Sequence, residues 1–236
     1  MDLLPMTTSA EQETRGARVA LLPVGSYEQH GDHLPLATDT MVASILAAEI
    51  AERYALMPLP PITISCSHEH VGWTGTVSIR AVTLAQIIVD ISESLHESGI
   101  DKLAIISGHG GNYILSNVTQ EANTHSPRMA LFPTREDWEA ARSVAGIESS
   151  IHDDMHAGEL ETSILLHYFP QNVGTHSRES DHISDRPHLL TLGMREYTDS
   201  GVIGAPSLAT AAKGRLVVST LVKRFGDTLI ALGDPP

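Results

Sequence analysis

Cysteine, aromatic side chains, positive charge and long apolar runs are all scarce in this 236-residue sequence. Cys66 is the single cysteine; it excludes an intrachain disulfide and fits a reducing, cytoplasmic setting. Aromatics make up 4% of the chain, so the core must be mainly aliphatic. With 15 Lys and Arg against 29 Asp and Glu, the formal charge is -14. That balance argues against nucleic acid and anionic membrane as main partners, because both demand basic patches. No apolar stretch approaches the roughly 18 residues of a membrane span, and the start "MDLLPMTTSAEQETRGAR" lacks the cationic-then-apolar order of a signal peptide. No G-x-S-x-G is present, nor the Lys-Ser/Thr of a P-loop.

What is present is enough to fold. A hydrophobic share of 42% can bury a core in one domain spanning 1–236, with residues 1–17 as a polar leader. Continuous apolar runs at 19–24, 102–107 and 129–132 predict strands covered on both faces. Shorter strands are expected at 62–64 and 76–79. Helical spacing appears over 40–53, with Thr38 and Asp39 as caps, and over 83–98, stopped by Gly99. Further helices are expected at 113–125, 157–169 and 211–232, while 133–154 is ambiguous and 170–204 loop-rich. Strands alternating with helices predict an α/β fold, a three-layer α/β/α sandwich on a mostly parallel sheet.

Polar residues gather where such a sheet binds ligands, beyond the carboxyl ends of its strands. "GSYEQHGDHLPLATDT" (25–40) follows the first strand and "GHGGN" (108–112) follows "KLAIIS". If those strands are neighbours, Glu28, His30, Asp39 and His109 converge. Mixed imidazoles and carboxylates suit Zn²⁺, Mn²⁺ or Fe²⁺ better than Ca²⁺ or Mg²⁺. Glu28 and His30, two apart, leave an extended chain on one side. Ordinary loop polarity would explain the acids but not the imidazoles. Gly110 and Gly111 are expected to leave space above His109, and Asn112 to cap a helix. In "HDDMHAGELET" (152–162), acids near a helix start complement its dipole, which leaves His156 unexplained. Cys66, near His68 and His70, could be a thiol nucleophile; a lone cysteine is more often a small buried hydrophobe.

Together "GSYEQHGDHLPLATDT", "SGHGGN" and "HAGELETS", in this order, resemble the creatininase family of metal-dependent amidohydrolases. The resemblance runs from about residue 19 to 232 and leans toward the branch of the mycofactocin-associated peptidase and the formamidopyrimidine deformylase. It implies a binuclear centre of two divalent ions: Glu28 and His109 on one, His30 on the other, Asp39 bridging, and Glu161 completing the second site. It also implies that His156 transfers a proton. Two departures matter. Gly111 stands where creatininase has a glutamate ligand, and His152 stands where it has a pocket tryptophan. Trp73 and Trp138 are the remaining candidates, beside Gly110, Gly111 and His152, for lining a substrate pocket.

The expected activity is hydrolysis of a non-standard amide, formamide or cyclic amide by a metal-activated water. Alternatives are a peptidase trimming a short precursor and a non-catalytic metal-binding protein. The expected partner is a small-molecule amide, and the resemblance implies a homo-oligomer, often a hexamer.

Overall fold

The computed structural model describes residues 3–175 and 180–235. Four parallel strands form one sheet in the order β2-β1-β3-β4, where β1 is Val19–Val24, β2 Met57–Pro58, β3 Lys102–Ser107 and β4 Met129–Phe132. β1 and β3 are neighbours in full register, from Val19 opposite Lys102 to Val24 opposite Ser107. The two strands that precede the polar motifs therefore end side by side.

Each strand face is buried by helices, giving the expected three layers. On one side lie α2 (Thr38–Tyr54), α5 (Arg135–Ala145), α6 (Glu159–Tyr168) and α8 (Ala211–Ala231), around a core with Leu21, Ile45, Ile106, Phe132, Leu221 and Phe225. On the other lie α3 (Ala81–Glu97) and α4 (Ile114–Ala122), around Leu22, Ile88, Leu103, Ile105 and Leu115. Burying both faces explains why the strands read as unbroken apolar runs. Among the described residues no helix is long and apolar enough to cross a membrane.

Several elements differ from expectation. The polar leader is not structureless: α1 (Ser9–Arg15) is closed by a Thr8–Glu11 capping box and by Gly16 in the left-handed region. Arg15 Nη1 ties it to the Leu56 carbonyl at 2.7 Å. The segment at 62–64 is no strand. Ile62 makes one bridge to Val24, and Pro60 and Pro61, without N–H groups, interrupt the ladder that would join it to β2. At 76–79 only Val77 pairs, antiparallel to Tyr27. The ambiguous stretch contains α5, started by a Thr134–Asp137 capping box, and the loop-rich stretch contains a short α7 (Leu189–Leu192).

Asp39 caps nothing. It lies in the first turn of α2, whose N-cap Ala37 makes no side-chain bond, because the Asp39 carboxylate is engaged by two histidines. Glycine brings this helix start close to the sheet. A methyl on Gly25, just after β1, would overlap the backbone of Thr40, and one on Gly108, just after β3, would overlap the Asp39 carbonyl. Only residues without Cβ let α2 deliver Asp39 onto both strand ends.

Candidate metal centre and active site

Five side chains predicted as ligands meet at the carboxyl ends of β1 and β3. Glu28 and His30 come from the loop after β1, Asp39 from α2, His109 from the loop after β3 and Glu161 from the first turn of α6. Glu28, Asp39 and His109 each present an atom to one point: His109 Nδ1 lies 3.3 Å from Glu28 Oε1 and 3.1 Å from Asp39 Oδ2. A second triad is His30, Asp39 and Glu161, with His30 Nε2 at 3.2 Å from Asp39 Oδ1 and 4.0 Å from Glu161 Oε2. Asp39 belongs to both. Its two oxygens face two different imidazoles, the arrangement a bridging carboxylate requires.

The imidazole tautomers are set from behind. His30 Nδ1–H donates to the Glu28 carbonyl at 3.0 Å, which frees Nε2 to face the site. His109 Nε2–H donates to the Cys66 carbonyl at 2.8 Å, which frees Nδ1. Such backing is what metal-binding histidines normally have. Glu28 Oε1 and Asp39 Oδ2 are buried yet accept no hydrogen bond. Buried carboxylate oxygens without a partner are costly, and a cation between them removes the cost. The donor set therefore fits divalent metal.

Charge coupling among these side chains is strong. Burial, then Asp39, pushes the Glu28 carboxyl up to about 7. Burial also pushes Glu161 up to about 7. Burial opposes charge on His30 and His109, but the surrounding carboxylates win and raise them to about 9 and about 10. Despite burial, His30 and His109 hold Asp39 well below the usual carboxylate range.

His156 stands beside this cluster rather than within either of these two triads. Its backbone pairs with Ile203 in both directions, and its Nε2–H donates to the Gln29 carbonyl at 2.6 Å. Nδ1 faces inward, 3.8 Å from Glu28 Oε1, close enough to form a third possible group with Glu28 and His30. Burial first, then the charges on His30 and His70, hold its pKa well below the usual histidine value. His156 is neutral at pH 7 with a free lone pair aimed at the site.

The acids of 152–162 divide cleanly. Asp154 accepts from Arg142 and from the Glu159 and Leu160 amides. Glu159 is buried against Lys213 Nζ at 2.6 Å and the Glu148 and Ser149 amides. Both are structural. Glu161, held by the Ala157 amide at 2.7 Å, turns to the metal ligands.

Sequence reasoning missed His70 as part of this site. Its Nδ1 accepts from the Gln29 amide at 3.0 Å, and its Nε2 stands 3.1 Å from Glu28 Oε1. With only "HEH" in a turn-rich stretch, nothing in the spacing linked His70 to Glu28. The thiol alternative fails: burial and Glu69 push Cys66 up, the reverse of an activated nucleophile.

The expected pocket residues separate. Gly110 and Trp138 line a cleft of about 540 Å³ that includes His109 and Glu161. Gly111 lines a neighbouring cavity of about 420 Å³ with Glu69, whose carboxylate occupies the place a side chain at this position would take. His152 does not line the cleft; it is exposed and pairs with Asp185 at 2.7 Å. Trp73 also lies off the cleft, with the Arg195 guanidinium 4.3 Å over its ring.

The profile of the creatininase family, described as creatinine amidohydrolase, matches residues 5–229. The chain belongs to the creatininase family of amidohydrolases. The mycofactocin precursor peptide peptidase of Mycolicibacterium smegmatis is 30% identical over 94% of this chain and 89% of the relative. The creatinine amidohydrolase of Pseudomonas putida is 23% identical over 94% of each. A solved structure described as "Creatininase Mn" superposes with a TM-score of 0.82 at 22% identity over 98% of both chains. That likeness shows the creatininase fold.

Proposed function

We propose that the chain is a binuclear metal-dependent hydrolase of a C–N bond in a non-standard amide, formamide or cyclic amide. The unpartnered Glu28 Oε1 and Asp39 Oδ2, buried between imidazoles whose free nitrogens face them, carry this reading. Glu28, Asp39 and His109 would hold one divalent ion of the Zn, Mn or Fe type, and His30, Asp39 and Glu161 the other. Such ions supply a water acidic enough to attack near neutral pH and polarise the carbonyl. His70, anchored by Gln29, orients Glu28. His156 serves as the proton carrier: its neutral Nδ1 accepts a proton and then protonates the departing nitrogen as general acid. The Gln29 carbonyl holds the ring's other N–H throughout, so only Nδ1 exchanges. Gly110 keeps the approach to His109 unobstructed, and Trp138 supplies an apolar wall.

A second reading is a peptidase that trims a short precursor. The 30% identity to the mycofactocin precursor peptide peptidase, against 23% to the creatinine amidohydrolase, favours it. Metal-loaded protein should be assayed on simple formamides and on short peptides. Formamide turnover that vanishes on chelation supports the first reading, and peptide cleavage alone the second. Neither activity at full metal occupancy leaves a non-catalytic metal-binding protein. The proposal includes a cytoplasmic location and a homo-oligomer, for which exposed Val71, Tyr113, Leu190 and Leu192 offer apolar surface.

A further inference from the structure

The cleft over the ligand cluster is built against the charge of the rest of the chain. Only 15 residues are Lys or Arg against 29 acids, yet Arg135, Arg142 and Arg186 all line the cavity that takes in His109 and Glu161. Two of these cations are neutralised. Arg135 Nε donates to Glu139 at 2.8 Å. Arg142 Nη1 donates to Asp154 at 2.9 Å and Nη2 to the Ser149 carbonyl at 2.6 Å.

Arg186 is different. Its Nη1 donates to the Ser184 carbonyl at 3.1 Å. It forms no ion pair within 4.0 Å among the described residues. The residue is half-buried, and burial lowers its pKa against the opposing pull of Asp153 and Asp185. A guanidinium offers five N–H donors in a planar fork, so most of that fork stays free. Holding an unpaired cation partly out of water costs free energy, and a ligand with the opposite charge offsets it. A planar fork matches a carboxylate or a phosphate two bonds at a time.

We infer that Arg186 is the anion-recognition residue of the cleft, and that the amide hydrolysed here carries a carboxylate or phosphate group. This rests on the proposed hydrolysis and adds the substrate's charge to it. Arg186 contacts the substrate away from the scissile bond, so it acts on binding and on the choice of substrate.

The test compares metal-loaded full chain with Arg186→Gln and Arg186→Lys on three probes: N-formylglycine, its neutral amide and N-formylethanolamine phosphate. The kcat/KM ratio of anionic to neutral probe should fall about 10–100-fold in Arg186→Gln, the range of a lost charged hydrogen bond, with KM taking most of the change. Arg186→Lys should recover part of it, because the charge remains and the fork does not. The anionic probe that loses more identifies carboxylate or phosphate as the group recognised. An unchanged ratio for both anions overturns the inference. Equilibrium binding of succinate and methyl phosphate to the same proteins tests Arg186 without turnover. Weaker binding to Arg186→Gln supports the role even if no probe is hydrolysed, a result that would count against the proposed reaction instead. Binding unchanged for both ligands overturns the role outright.

Discussion

Replacing His156 by alanine should lower kcat by about 10²–10⁴-fold, the usual contribution of a positioned proton donor or acceptor, with both metals retained. The expectation comes from where the ring stands. Nδ1 lies 3.8 Å from Glu28 Oε1, beside the ligands and not between them, and Nε2–H is spent on the Gln29 carbonyl at 2.6 Å. The ring also packs at 4.2 Å from His30 and 4.4 Å from His70, centroid to centroid. Removing it leaves the Gln29 carbonyl without its donor, a loss of about 1–3 kcal/mol for a buried acceptor. At about 2–4 °C per kcal/mol for a chain of this size, Tm should fall by roughly 2–12 °C. The variant should still fold. Metal content, Tm and kcat measured on one preparation separate three roles. Metal lost in proportion to activity would make His156 a ligand. Normal turnover by the folded fraction would make it structural. A leaving-group series adds a sharper test: formamides whose departing nitrogen needs little protonation should suffer less. Equal loss for good and poor leaving groups, with metals intact, would refute the acid role.

Two further outcomes follow from the same geometry. Gly25→Ala and Gly108→Ala should each cost about 1–3 kcal/mol or more from overpacking and should weaken metal binding, since α2 carries Asp39 away as it retreats; chemical denaturation and metal titration of the two variants check this. In metal-free protein, His30 and His109 keep their protons to about 9 and about 10, against about 6.5 when unfolded. The folded state therefore binds more protons from pH 7 to 9, and the stability this gives is lost as pH rises. Thermal melts of chelator-stripped protein should show Tm falling across that window, and a flat or rising Tm would contradict the assignment.

The sheet was legible because burial on both faces leaves an unmistakable mark: β1 and β3 are uninterrupted aliphatic runs with polar motifs at their ends. Glu28, His30, Asp39 and His109 could be grouped from that alone once the two strands were taken as neighbours. Glu161 and His156 needed the family resemblance, since nothing local says that α6 begins against the loop after β1. The capping boxes of α1 and α5 were present as Thr8–Glu11 and Thr134–Asp137, but few large apolar side chains follow them: none in α1, and only Trp138 and Val144 in α5. His70 and Arg186 were invisible because both lie in irregular segments, where no period relates a residue to its neighbours in space. The contact of Gly111 with Glu69 was hidden for a related reason: which side chain packs against a glycine is set by a residue far away in sequence.

The central claim is a two-ion centre bridged by Asp39, and elemental analysis tests it most directly. Purified protein loaded with Zn²⁺, Mn²⁺ or Fe²⁺ should hold about two ions per chain, a pairing that lets one water be shared. Asp39→Asn should disturb both sites together, because one carboxylate reaches both His30 and His109. Stoichiometry that stays near zero after loading, or an Asp39→Asn variant that still holds two ions, would contradict it.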